Sequence, residues 1–113
     1  MKKYIVLFLL VPFFTFSQSN DKNTKETFSV EGNCSMCKKR IEKAALSLKG
    51  VKYAKWNKKS GDFSIIYNNE KVNIQEIRSK IAQSGHDNGE YVTTTEVYDK
   101  LPDCCKYKDS GKH

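Results

Sequence analysis

Along this chain the apolar positions switch between a period of two and a period of about 3.6, and each switch marks an element. Glu26-Thr27-Phe28-Ser29-Val30-Glu31 puts Phe28 and Val30 on one face, which predicts a half-buried strand that Gly32 ends. From Met36 to Leu48 the apolar residues Ile41, Ala44, Ala45 and Leu48 fall at helical spacing, with Lys38, Lys39, Glu42 and Lys43 elsewhere on the wheel. Gly50 stops that helix and Val51–Trp56 resumes a strand. Two inward faces compete there, and Ala54 with Trp56 is preferred, Val51 packing from the preceding loop. Lys58-Lys59-Ser60-Gly61 makes a hairpin connection to a returning strand, Asp62–Tyr67, with Phe63, Ile65 and Tyr67 inward.

Asn73 followed by Glu76 is a capping pattern, with Val72 and Ile77 as its hydrophobic staple. The helix it opens carries Ile74, Ile77, Ile81 and Ala82 on one face and ends at Gly85. After a turn at His86-Asp87-Asn88-Gly89, a last strand is expected over Glu90–Thr94. Thr93 and Glu96 then cap a short helix, with Val97 and Leu101 one turn apart, which Pro102 stops. The order strand, helix, strand, strand, helix, strand predicts an α+β ferredoxin-like βαββαβ sandwich, a four-stranded antiparallel sheet covered by two helices. A short C-terminal helix and a tail bearing Cys104-Cys105 follow it.

The first residues change the compartment. Lys2 and Lys3, an apolar run from Ile5 to Phe14 and then Thr15-Phe16-Ser17 form the charged, apolar and small-residue regions of a signal peptide. The run falls short of the roughly 20 residues a span requires. Residues 1–17 are therefore expected to be removed, 18–25 to be a flexible polar leader, 26–94 the folded domain and 95–113 the helix and tail. The mature protein is expected to be periplasmic or secreted, monomeric and without stable membrane insertion. Removing the two lysines Lys2 and Lys3 lowers the formal charge from +7 to +5. The remaining lysines are dispersed, which speaks against a nucleic-acid partner.

The chemistry lies in four cysteines. Cys34 and Cys37 form a CxxC where the first strand gives way to the first helix. The unpaired N–H groups and positive end of that helix favour thiolate there, and Lys38, Lys39 and Arg40 follow. Side chains three apart at a helix start lie on one side, so both sulfurs can close on one ion. Two thiolates suit Cu(I) or Hg(II), whereas Zn(II) prefers four ligands. Met36, between them, is expected to be exposed rather than a ligand. Adjacent cysteines such as Cys104 and Cys105 rarely bond to each other without strain. They are open to a second soft-metal site, to completion of a four-sulfur site with Cys34 and Cys37 suited to Zn(II) or Cd(II), to disulfides with the CxxC, or to an inert or intermolecular role.

From Glu26 to Thr94 the chain resembles the heavy-metal-associated domain family. The resemblance rests on Val30-Glu31-Gly32, Cys34, Cys37, the Ile41-Glu42-Lys43-Ala44 helix, Gly50-Val51 and Gly85-His86-Asp87. It implies Cu(I) as cargo, no enzymatic activity, and transient docking to a metal transporter or another metal-binding protein. It also places His86 beside the metal loop, as a third ligand or a tuning group, with a solvent-exposed turn histidine as the alternative. The approach Gly32-Asn33-Cys34 is one residue shorter than the family's usual loop and lacks its Met. Two other functions fit a CxxC, a thiol–disulfide oxidoreductase and a disulfide-stapled interaction module. The first is disfavoured by the short chain and by Pro102, which comes too late to lie beside the site.

Overall fold

The computed structural model describes residues 22–110. The signal-peptide reading of residues 1–17 and the start of the leader lie outside them. Strand β1 (Asn23–Ser29) is followed by helix α1 (Ser35–Leu46), strands β2 (Val51–Trp56) and β3 (Asp62–Asn68), and helix α2 (Ile74–Gln83). The short helix α3 (Thr95–Asp99), a 3-10 turn (Asp103–Cys105) and α4 (Tyr107–Ser110) complete the described chain. β1 begins at Asn23, three residues before the expected start, because Lys25, Thr24 and Asn23 continue the ladder opposite Ile66, Tyr67 and Asn68. No helix among the described residues is long and apolar enough to cross a membrane.

The sheet is antiparallel with order β1-β3-β2. Central β3 supplies Phe63, Ile65 and Tyr67 to the core at alternate positions, as its period of two requires. β2 slips register between Val51 and Tyr53, and the slip turns Tyr53 outward while Trp56 goes fully inward. Ile41 and Ala45 of α1 and Ile77 and Ile81 of α2 close over this face. α2 begins with the expected capping box: the Asn73 side chain accepts from the Glu76 N–H at 2.8 Å, and the Glu76 carboxylate accepts from the Asn73 N–H at 3.0 Å.

The expected fourth strand does not form among the described residues, so the sheet has three strands and not four. Gly89 takes φ +63° and reverses the chain, so that Asn88 and Tyr91 exchange backbone hydrogen bonds with each other. The Thr93 N–H is drawn to the Asp87 carboxylate at 2.7 Å. Donors that a fourth strand would offer to β1 are thereby spent locally. The helix expected from a Thr93 cap starts one residue later, capped by Thr94, whose hydroxyl accepts from the Val97 N–H. The covering layer also departs from two helices: α3, the 3-10 turn and α4 fold back, and Tyr98, Leu101, Cys105 and Tyr107 join the same core.

Candidate metal centre

The loop between β1 and α1 rests on Trp56. The indole N–H donates to the Val30 carbonyl at 2.9 Å and the Gly61 carbonyl at 3.1 Å, which fixes the ring beneath Gly32. A Cβ at Gly32 would sit 3.1 Å from two ring carbons and from the Cys37 Cβ, so only glycine passes there without displacing a neighbour. Asn33 follows, fully buried, and its backbone N–H donates to Cys37 Sγ at 3.2 Å. Cys34 is the N-cap residue of α1 in extended conformation, which leaves its sulfur at the open helix start. Cys37, one turn before Ile41, is fully buried, and the Cys34 and Cys37 sulfurs stand 3.6 Å apart.

The tail reaches the same place. Leu101 packs on Gly85, whose φ of +110° ends α2 and whose added Cβ would lie 2.6 Å from a Leu101 methyl. The Tyr107 hydroxyl donates to the Gly85 carbonyl at 2.8 Å and accepts from the Asp87 N–H at 3.0 Å. The Tyr98 ring meets that of Tyr107 edge-on, and Lys108 pairs with Asp87 at 3.2 Å. Between these anchors the 3-10 turn carries Cys105 inward, fully buried, with its sulfur 3.9 Å from that of Cys34. Cys104 is exposed and its sulfur lies 2.6 Å from that of Cys34.

His86 is fully buried and stacked on the Tyr107 ring. Its Nδ1 lies 2.8 Å from the Glu31 carbonyl. A carbonyl only accepts, so Nδ1 carries the hydrogen and Nε2 presents a lone pair, buried and without a hydrogen-bond partner. Nε2 belongs to a group with the Cys37 and Cys105 sulfurs in which all donors lie within 4.8 Å of one another; Cys34, Cys104 and Cys105 form a second such group.

Burial and hydrogen bonding set the protonation states. Desolvation works to raise the Cys34 thiol, but the Cys104 side chain as donor, the N–H groups of Cys37 and Met36 and the Cys37 thiol outweigh it and hold Cys34 at about 7. Giving that hydrogen bond raises Cys104 in turn, with some desolvation. Burial pushes the Cys105 thiol well up, and its hydrogen bond to Cys37 adds to this. Desolvation lowers His86 to about 4 against the help of the Glu31 carbonyl, and the Arg40 charge lowers it further. Near neutral pH the site therefore holds a Cys34 that ionises readily, protonated Cys104 and Cys105 thiols, and a neutral imidazole.

All five residues singled out from the sequence, Cys34, Cys37, His86, Cys104 and Cys105, converge on this site. Two of the neighbouring cations also brace the scaffold: Lys38 binds the Glu42 carboxylate and the Trp56 carbonyl, and Arg40 donates to the Ser84 carbonyl. Met36 is exposed at 47 %. Sequence reasoning missed Asn33, Trp56 as the loop's floor, and Tyr107. The Tyr98, Leu101 and Tyr107 apolar positions flanking the cysteine pair were the available signal that this tail packs.

Residues 27–87 match the family model described as the heavy-metal-associated domain. The match stops short of α3 and of both tail cysteines. The chain is 32 % identical over 65 residues to a copper chaperone CopZ of Staphylococcus aureus, covering 57 % of this chain and 96 % of that one. Among solved structures, a CopZ metallochaperone superposes with a TM-score of 0.56 at 32 % identity, over 57 % of this chain and 98 % of that one. The N-terminal domain of a potential copper-translocating P-type ATPase from Bacillus subtilis, in its Cu(I)-loaded state, gives 0.56 at 25 % identity, over 58 % and 84 %.

Proposed function

Because the chain belongs to the heavy-metal-associated domain family, we propose that it binds Cu(I) through Cys34 and Cys37 and passes the ion to a partner by thiolate exchange. The observation that carries this reading is the 3.6 Å sulfur pair at the open start of α1, one sulfur buried and the other half-exposed. A soft monovalent ion is satisfied by two or three thiolates, so a partner's thiolate can join at the exposed side before a resident one leaves. The ion then moves without entering solution. Hg(II), Cd(II) and Zn(II) are weaker candidates for the cargo, Zn(II) because it asks for four ligands.

The relatives support the cargo and the kind of partner. A copper chaperone and a copper-ATPase domain share this fold at 25 % identity or more, so a metal transporter or another metal-binding protein, docked transiently, is the proposed recipient. Export is proposed from the charge and hydropathy pattern of residues 1–17. The test is an anaerobic Cu(I) competition against a chelator with the reduced protein and a Cys34→Ser/Cys37→Ser double variant. The native chain competes and the double variant does not; equal affinity of the two sinks the assignment.

A further inference from the structure

Five soft donors meet at this site, more than one Cu(I) can use. They fall into two groups of three, Cys37, His86 and Cys105 on the buried side and Cys34, Cys104 and Cys105 on the exposed side, with Cys105 common to both. We propose that the chain holds two Cu(I) ions side by side, an inner one on Cys37, His86 and Cys105 and an outer one on Cys34, Cys104 and Cys105, bridged by the Cys105 sulfur. The proposal rests on Cu(I) being the cargo, as above, and extends the site beyond the CxxC: a first ion is shared by Cys34 and Cys37, and when a second enters each of these sulfurs keeps its own ion.

Three observations carry it. First, His86 Nε2 is buried with its lone pair unpartnered, an arrangement that costs stability unless something binds there. The ring is locked in that pose by the Glu31 carbonyl and by Tyr107, as an imidazole ligand's other nitrogen usually is. Secondly, metal–sulfur bonds of about 2.3 Å put the donors around one ion roughly 4 Å apart. Within each group the donors lie inside 4.8 Å of one another, and the Cys34–Cys105 separation is 3.9 Å. Thirdly, Cys105 is delivered by a built scaffold, Leu101 on Gly85 and Tyr107 on Gly85 and Asp87, rather than by a loose end.

A thiolate has lone pairs enough to bridge two soft ions. Four thiolates and two Cu(I) leave two negative charges, which face the positive end of α1. The two positions differ in access. The inner group is wholly buried, whereas the outer one includes exposed Cys104 and half-exposed Cys34. The outer ion is the exchangeable one, and the inner ion stays with the protein.

The experiment is an anaerobic titration of the reduced full chain with Cu(I), read by native mass spectrometry and by X-ray absorption. Two ions per monomeric chain, a short copper–copper scattering path, and removal of one ion by chelator about tenfold faster than the other support the proposal. Cys104→Ser, at an exposed position where folding is not at stake, is expected to lower the stoichiometry to one. His86→Asn, whose amide nitrogen takes the place of Nδ1 and can still donate to the Glu31 carbonyl, is expected to abolish the slowly removed ion. A native chain that saturates at one ion with no copper–copper path overturns the proposal, as does a Cys104→Ser variant that still holds two. Such a result leaves the CxxC reading standing, since that reading fails only in the Cys34/Cys37 double variant.

Discussion

The sulfurs of Cys34 and Cys104 stand 2.6 Å apart across a separation of 70 residues. When Cys34 is the thiolate, the exposed thiol of the tail can only donate to it, and the pair shares its acidity unequally. Alkylation of Cys34, followed by peptide mapping, is expected to show half-maximal rate at pH about 7, below the ordinary 9.0. Removing the donor removes a lowering influence, so Cys104→Ser moves that midpoint upward and slows alkylation at pH 7. An unmoved midpoint would show that the helix start alone sets the acidity.

His86 links stability to acid. Its folded value of about 4 lies below the 6.5 of an unfolded histidine, so between these values the unfolded chain binds more protons than the folded one. The stability at stake is therefore complete above pH 6.5 and is lost as pH falls toward 4, by up to about 3 kcal/mol. Urea denaturation of the reduced, metal-free protein at stepped pH checks this. In His86→Gln the acid limb between pH 6.5 and 4 should flatten.

Gly85 answers to two demands at once, a left-handed φ and the Leu101 side chain against its Cα. Gly85→Ala is expected to cost about 1–3 kcal/mol from backbone strain and displaced packing. A chemical denaturation midpoint within error of the native one would count against this account of the tail's docking.

The Tyr107 hydroxyl joins the Gly85 carbonyl to the Asp87 N–H. Tyr107→Phe leaves the ring in place and both backbone groups unmet, a loss of about 1–3 kcal/mol. Much of that loss should appear locally, as a rise in the alkylation rate of buried Cys105 in the absence of metal. Cys105 protection equal to that of the native chain would refute it.

The parts of the fold that could be read from the sequence are those set within one element. Phe63, Ile65 and Tyr67 alternate because a strand does, and Asn73 with Glu76 closes a box within a single turn. The CxxC was legible for the same reason, since strand, glycine and helix lie on one short stretch. The fourth strand failed because residues 88–91 satisfy one another, a choice that pattern alone does not reveal. Asn33 was opaque because its partner is the thiol of Cys37 and its burial comes from the tertiary fold. The role of the tail was left open between metal and disulfide chemistry, because only its packing on Gly85 and Asp87 brings Cys104 and Cys105 to the loop.

That packing makes the tail a tethered competitor. Pinned at Leu101 before the cysteine pair and at Tyr107 after it, Cys105 stands at the site at an effective concentration of millimolar or more, about that of two modules joined by a short linker. A dilute thiol in solution cannot match that. A docked protein that brings its own cysteines to the open side of α1 can, so under the proposed function release from this site answers to docking rather than to the ambient thiol level.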